Sequence, residues 1–142
     1  EVAYIQGEMG GTVKEEVATE WNPEEVELTT EKESIKYDDF DKLELKVAEV
    51  IDCKPVEGAD KLLQFRLDAG DAGGHRQILS GIAQWYPNPE EFIGKKVVIV
   101  ANLKPRKMRG QISQGMILSA EKDGVLQVVL APQEMPNGSF VS

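Results

Sequence analysis

Cysteine and histidine each occur only once in the sequence, as Cys53 and His75. This scarcity argues against a disulfide framework, a cysteine-rich zinc site and most catalytic triads, so we expect neither a metal nor a cofactor. Cys53 lies in a stretch of alternating apolar residues, which favours a small core residue or an inert thiol over a nucleophile. His75 follows two glycines at a predicted hairpin turn. A solvated turn residue is the favoured interpretation there, with a phosphate contact as the alternative.

Long apolar runs are also missing. No stretch approaches the roughly 20 residues that a membrane-spanning helix needs, and no secretory signal opens the sequence. We therefore expect a cytoplasmic protein without membrane association. The 142 residues, of which 41% are hydrophobic, are enough for one domain with a modest core.

Positive charge is scarce overall, with 16 Lys and Arg against 25 Asp and Glu and a net charge of -9. The deficit is uneven, because residues 1–37 carry a net charge of -7 and residues 38–142 only -2. No acidic residue occurs between Glu91 and Glu121, where six cations fall. Four of the six cations lie close together, at Lys104, Arg106, Lys107 and Arg109. This cluster predicts an anionic ligand, although an ordinary solvated loop is the alternative.

The residues around the basic cluster predict how it is presented. The valine-rich run 97–101 indicates a buried strand, which Pro105 ends, so that the cations would lie on a loop at the rim of a sheet. Residues 111–119 predict a returning strand with Gly115 at a bend or close approach, where a backbone phosphate could sit. The hydrogen-bonding side chains of Asn102, Ser113 and Gln114 would fix the register of a nucleic acid. Met108 and Met116 offer apolar surface for a base.

Alternating apolar residues predict strands along the rest of the chain. Leu63, Phe65 and Leu67 mark the clearest one, and residues 43–50 suggest a long first strand that bends at Ala48. Further strands are predicted at residues 76–79, 125–130 and 139–142. Residues 88–94 predict a short helix capped by Asn88, and the neighbouring Trp85 and Tyr86 favour packing over base stacking. Residues 1–36 predict an acidic linker that carries the tail of an upstream helix, and residues 37–142 predict the folded domain.

Several blocks together resemble one known family. Residues 102–110 read Asn-Leu-Lys-Pro-Arg-Lys-Met-Arg-Gly, and Ser-Gln-Gly-Met follows at 113–116. This string is similar to the signature of the tRNA-binding domain found at the C-terminus of many methionyl-tRNA synthetases, in free-standing tRNA-binding proteins and in the endothelial-monocyte-activating polypeptide domain. Residues 39–48, 58–62 and 79–82 resemble other blocks of that family. Residues 1–9 resemble the segment where these synthetases leave their anticodon-binding domain.

The resemblance implies an all-β fold, namely a five-stranded oligonucleotide-binding barrel with a short helix and extra C-terminal strands. It also implies non-specific tRNA binding and a homodimer, with the catalytic and anticodon-binding domains of a parent methionine-tRNA ligase as further partners. The fragment by itself is not expected to be an enzyme. A protein-binding role on the same fold, as a chaperone or a scaffold, is the alternative. The predicted tRNA-binding residues are Asn102, Lys104, Arg106, Lys107, Arg109, Ser113, Gln114, Met116, Lys61 and Ser80.

Overall fold

The computed structural model describes residues 20–142, which belong to two separate units. The first unit ends at Ser34, and its described part contains one 3-10 turn, Pro23–Glu25. Asn22 caps this turn because its side-chain Oδ1 accepts a hydrogen bond of 3.1 Å from the amide of Glu24. Trp21 beside it is 79% exposed. The tail of an upstream helix, which was predicted near the beginning of residues 1–36, lies outside the described residues.

The second unit, Ile35–Ser142, consists mainly of strands. The strands are β1 (Leu45–Val56), β2 (Ala59–Asp68), β3 (Arg76–Ser80), β4 (Lys96–Val100), β5 (Arg106–Met108), β6 (Gln111–Ser113), β7 (Met116–Ile117), β8 (Ser119–Lys122), β9 (Val125–Val128) and β10 (Phe140–Val141). The helical pieces are α1 (Tyr37–Phe40) and two 3-10 turns, Ala83–Trp85 and Pro89–Phe92. Within residues 20–142 no helix has the length and apolar character that crossing a membrane requires.

The main sheet has the strand order β3-β2-β1-β4-β7, with every neighbouring pair antiparallel. Strand β1 therefore pairs with both β2 and β4, and β10 pairs with the beginning of β1. Among the shorter strands, β5 pairs with β6 and β8 pairs with β9. The five main strands form the oligonucleotide-binding barrel that the family resemblance implied, with extra C-terminal strands.

The bend of β1 lies further along than predicted. Its pairing with β2 shifts register between Val50 and Asp52, whereas Ala48 stays paired with Val97 of β4. The apparent break of alternation at Ala48 has a different cause, because Val47 and Ala48 are both buried, on opposite faces of the strand. Ala48 faces the main core, and Val47 packs into a smaller cluster with Val98 and with Ala131 of the C-terminal segment.

The main core forms where the sequence predicted it. Leu63, Phe65 and Leu67 of β2 are at most 1% exposed, and Phe65 meets Phe92 edge-on with ring centroids 5.3 Å apart. Phe92 belongs to the predicted short helix, which is a 3-10 turn in which the Asn88 side chain makes no capping hydrogen bond. The main core also contains Ala48, Val97, Ile99 and Ile117.

Trp85 and Tyr86 connect the core to the hairpin that β8 and β9 form. The Trp85 Nε1 donates to the carbonyl of Gly124 at 3.0 Å, and the Tyr86 hydroxyl accepts from the amide of Val128 at 2.9 Å. The expectation that these aromatics pack within the fold is confirmed.

Cys53 is also a core residue. It is 4% exposed, and burial, followed by the nearby charges of Asp52 and Glu90, raises the pKa of its thiol to about 12. The thiol is therefore protonated at neutral pH and is a poor nucleophile.

Gly115 lies close to the backbone of β4. Its φ is +139°, and a Cβ at this position would lie 2.8 Å from the carbonyl oxygen of Val100 and 3.1 Å from the Cδ1 of Ile78. The close approach predicted for this glycine is confirmed. The group that approaches is the backbone of β4, however, so this face of Gly115 has no room for a phosphate.

We predict that Gly115→Ala destabilises the fold by about 2 to 4 kcal/mol, because the added methyl group meets a carbonyl and the backbone conformation is unfavourable for alanine. Chemical denaturation measures the loss. Gly74→Ala is the matched control, since its φ of +120° is also positive but nothing lies within 4 Å of the added carbon. Equal losses in the two variants would contradict the proposed clash.

Candidate nucleic-acid interface

Strands β5 and β6 form a hairpin, which we call the basic hairpin (residues 106–113). Its register pairs Arg106 with Ser113, Lys107 with Ile112 and Met108 with Gln111. The sequence predicted an irregular loop for the cations and one continuous returning strand for residues 111–119. The chain instead pairs with itself before it returns to the sheet as β7, because Arg109 and Gly110 form a tight two-residue turn.

The turn of the basic hairpin has an unusual composition. Arg109 and Gly110 both have positive φ, at 52° and 79°, which is the geometry of a type I′ turn. The hairpin β8–β9 turns in the same way, with Asp123 and Gly124 at 54° and 82°. Asp and Asn tolerate the left-handed conformation, whereas arginine is disfavoured there. Arg109, at the tip of the basic hairpin, therefore lies at a position where Asn or Asp would make the turn more stable.

The register places the side chains of the basic hairpin on two faces. Arg106 and Met108 lie on one face and Lys107 with Ile112 on the other, because side chains alternate along a strand. Met108 is half-buried and packs against a small apolar cluster that contains Val56 and Leu79. Met108 thus anchors the hairpin to the barrel, and its expected role as a stacking surface for a base is not supported by this packing.

A groove of about 560 Å³ separates the basic hairpin from the turn between β1 and β2. Lys61 lies on the barrel side of this groove, and Arg106, Lys107 and Arg109 lie on the hairpin side. Asp60 is the one carboxylate among the lining residues. The structure thus brings Lys61 together with cations that are more than 40 positions away in the sequence. We call this space the first groove.

A second groove, of about 250 Å³, also borders the basic hairpin. It is lined by Lys104 and Arg106, with Ser80 and Met116 on the barrel side, and no acidic residue lines it. Met116 is 47% exposed and offers the apolar surface that the sequence predicted. Arg106 and Met108 border both grooves, so the basic hairpin is a ridge between them.

The cations of this surface are available for an external ligand. Lys104, Arg106, Lys107 and Arg109 are all exposed. In the part of the chain from 20 to 142, the cations found in ion pairs are Lys42, Lys46 and Arg76. None of the four cations of the cluster is thus neutralised by a carboxylate of the described residues.

Three polar residues that were predicted to contact a nucleic acid make hydrogen bonds within the fold. The Asn102 side chain accepts from the amide of Glu44 at 2.9 Å and donates to the carbonyl of Lys42 at 2.8 Å. Ser113 is 5% exposed, and its Oγ accepts from the amide of Leu79. Since these groups already have partners, we do not include Asn102 and Ser113 in the proposed contact surface.

Gln114, the third of these residues, closes the barrel. Its side-chain Oε1 accepts from the amide of Gln77 at 2.8 Å, and its own amide donates to the carbonyl of Gln77 at 2.7 Å. The side chain of Gln77 in turn donates to the carbonyl of Ile112 in the basic hairpin. The edge of β3 is thereby joined to the chain that leaves the hairpin. This is a structural role, as buried strand edges need hydrogen-bond partners.

The outer face of β1 to β3 was not predicted as part of the site. A depression of about 360 Å³ there contains Lys54 and Arg66 together with Asp52. His75 is exposed directly after the turn, as the sequence predicted, and its Nδ1 also accepts a hydrogen bond of 2.9 Å from the Nε of Arg66. The alternation of Arg66 with buried Leu67 was the sequence signal for an outward-facing cation. Its closeness to His75 depends on the pairing of β2 with β3.

Comparison with known families gives a clear match. A family model described as "Putative tRNA binding domain" matches residues 45–140. The chain is 70% identical over 148 residues to the methionine-tRNA ligase of Enterococcus faecalis, which matches all of this chain and 22% of that protein. The methionine-tRNA ligase of Oceanobacillus iheyensis is 66% identical over 147 residues with the same coverage. The chain thus spans about a fifth of the length of these curated relatives.

Solved structures give the same result. A MetRS-related protein from Pyrococcus horikoshii superposes with a TM-score of 0.72 at 38% identity, covering 78% of this chain and 100% of that one. The chaperone CsaA from Bacillus anthracis superposes with a TM-score of 0.68 at 26% identity, again covering 78% of this chain and 100% of that one. With the family model matching most of the barrel and a solved relative matched over its whole length, this chain belongs to the tRNA-binding domain family.

Proposed function

We propose that this chain binds tRNA through the basic hairpin and its two grooves, in the cytoplasm, as an appended module of a methionine-tRNA ligase. The observation that carries the proposal is the exposure of four clustered cations on a rigid ridge, none of them paired with a carboxylate of residues 20–142. Family membership identifies tRNA as the polyanion. The similarity to methionine-tRNA ligases supports such a ligase as the parent enzyme.

The proposed binding is electrostatic and depends on shape. The cations of the ridge and Lys61 contact phosphates on the two sides of the hairpin, and each contact releases counterions from the RNA. Side chains cannot enter the deep, narrow major groove of folded RNA, so a fixed ridge engages the backbone and exposed loops instead. Ser80 and Met116 contribute a hydroxyl and an apolar surface in the second groove. This mode does not distinguish tRNA sequences.

The negative net charge does not oppose this mode of binding at short range. Most of the excess acidity lies before residue 38, and no acid interrupts residues 92–120. The interaction between an exposed acid and the RNA is screened beyond about 8 Å at physiological ionic strength. The local surface therefore determines binding, and the remaining acidity weakens attachment to nucleic acid elsewhere on the protein.

In the parent enzyme such a module raises the effective concentration of tRNA near the catalytic domain. Once the module holds a tRNA, the contact of that tRNA with the catalytic domain becomes intramolecular. A moderate affinity of the module for tRNA is therefore sufficient. This role requires no chemistry from the module itself. Specificity for the cognate tRNA then belongs to the catalytic and anticodon-binding domains of the enzyme.

The similarity to CsaA defines the competing function of a protein-binding module. Fluorescence titrations of one protein sample with bulk tRNA and with a denatured client polypeptide compare the two ligands directly. We expect salt-sensitive binding of tRNA and weaker binding of the polypeptide. The reverse order would favour the chaperone role.

We predict that neutralising the ridge, with Arg106→Gln, Lys107→Gln and Arg109→Asn combined, weakens tRNA binding. If each cation meets a phosphate, the slope of log affinity against log salt falls by roughly two to three units. Titrations of labelled tRNA at several salt concentrations measure the slope. The matched control neutralises three other cations, Lys32, Lys36 and Lys122, and is expected to keep the slope. A folded ridge variant that binds like the wild type would refute the assignment.

A second prediction concerns Arg109, whose effects on the stability of the fold and on tRNA binding can be measured separately. Arg109→Asn is expected to keep or increase thermal stability, because Asn tolerates the left-handed conformation, and to lower the salt slope for tRNA by about one unit. Calorimetry and tRNA titration measure the two effects. Asp123→Asn in the equivalent turn is the control and is expected to leave tRNA binding unimpaired. A loss of stability in Arg109→Asn would show that the arginine supports the turn.

We also propose that two copies associate through the surface formed by α1 and β10. A groove of about 320 Å³ there contains Leu43 and Phe140, which are 46% and 73% exposed. Lys46 lies over the ring of Phe140, with its Nζ 5.4 Å from the centroid. Association would bury these apolar side chains and would place two basic ridges in one particle, which makes tRNA attachment bivalent.

The third prediction of this section concerns that association. Phe140→Glu is expected to shift the protein toward the monomer, because a carboxylate must lose its hydration on association, whereas the apolar ring gains from burial. Sedimentation equilibrium measures the state. Val125→Glu is the control, as Val125 is 63% exposed on β9. If the wild type sediments as a monomer at all accessible concentrations, this surface is not a dimer interface.

A further inference from the structure

Arg76, at the start of β3, has a side chain that is only 14% exposed. Its Nε and Nη2 donate to the two carboxylate oxygens of Asp71 at 2.8 and 2.7 Å. Its Nη1 donates to the carbonyl oxygens of Ala101 at 3.0 Å and of Gln114 at 2.9 Å. Four of the five N–H groups of the guanidinium are thus engaged within the protein. Little of this arginine remains for contact with a phosphate.

The two carbonyl groups have a particular position in the chain. Ala101 directly follows β4, where the chain leaves the barrel, and Gln114 directly follows β6, where the chain returns. Every cation of the ridge lies between these two residues. One nitrogen of Arg76 therefore holds both roots of the basic hairpin together.

Asp71 fixes the orientation of that nitrogen. A bidentate pair with a carboxylate holds the guanidinium plane, which a single contact would leave free to rotate. The hydrogen bond from Arg76 lowers the pKa of Asp71, so the carboxylate remains ionised throughout the neutral range.

We propose that Arg76 and Asp71 are positioning residues that fix the direction of the basic hairpin and thereby raise tRNA affinity without contacting the RNA. The proposal rests on the proposed tRNA-binding function. A hairpin with loose roots can still meet phosphates, but binding must then order it, and ordering of a loop lowers affinity. The number of phosphate contacts, and hence the salt slope, stays the same.

Asp71→Asn tests this proposal because two explanations predict opposite results. Asp71 is a partly exposed carboxylate, with 31% of its side chain accessible, so its removal should strengthen tRNA binding if only charge matters. The positioning role predicts the opposite, because the new amide group faces donors of Arg76. We expect affinity to fall by about three- to tenfold, the equivalent of losing the order of one loop. The salt slope should remain within half a unit of the wild type.

Hydrogen exchange distinguishes a loosened basic hairpin from a general loss of stability. Amides of residues 106–113 should exchange faster in Asp71→Asn, whereas amides in the pairing of β1 with β2 should keep their protection. Asp123→Asn removes the same charge from an exposed turn elsewhere in the domain and should leave both the exchange and the affinity as in the wild type or slightly strengthen binding. Asp71→Glu keeps the charge and both acceptors and should recover part of the lost affinity.

Arg76→Lys supplies an independent variant. Lysine keeps the positive charge but cannot bridge two carbonyls and a carboxylate in one plane, so we expect the same loss of affinity as in Asp71→Asn. Wild-type affinity in Arg76→Lys, or unchanged or tighter binding in Asp71→Asn, would overturn the positioning role. If Arg76→Lys does not fold, Asp71→Asn decides the question.

These results are distinguishable from a failure of the proposed function itself. The wild type and the ridge variant with three neutralised cations are measured in the same titration. Equal binding by those two proteins would reject tRNA binding through the hairpin. Loss of binding in the ridge variant with tighter binding in Asp71→Asn would reject the positioning role alone.

Discussion

The closure of the barrel at the edge of β3 is the constraint on which the rest of the structure depends. An open strand edge leaves amides and carbonyls without partners, and these groups are costly when they are buried. The chain satisfies them with Gln114 and Ser113, which lie just where the basic hairpin returns to the sheet. The hairpin is thus part of the closure of the barrel, and the sheet determines where the hairpin begins and ends.

Within this short segment, some residues make hydrogen bonds inside the protein and others carry the exposed charge. Polar side chains at the roots of the hairpin, such as Asn102, make hydrogen bonds within the protein. The cations project beyond the roots and are exposed. A rigid ridge of charge loses less entropy on binding than a flexible basic tail, since its side chains start from a fixed backbone. Affinity for tRNA can therefore arise from few cations in a chain with a net charge of -9.

The two type I′ turns show how function and stability compete at a single position. Asp123 and Gly124 make the turn with residues that suit its conformation, whereas the basic hairpin has Arg109 at the corresponding place. A less favourable residue at an exposed tip is tolerated because the core of the barrel, around Phe65 and Ile99, supplies the stability.

The sequence alone determined the long strands of the main sheet, the core and the charge of the site, but not the basic hairpin, because only the former depend on local alternation and composition. The burial of Leu63, Phe65 and Leu67 and the cluster around Arg106 were both predictable in this way. Only the tertiary structure decided which polar residues are free. Asn102 binds a backbone 58 residues away, Ser113 one 34 residues away, and Lys61 joins the cations across a groove. Hydrogen-bond partners distant in sequence are chosen by the register of the sheet, and local patterns carry no information about that register.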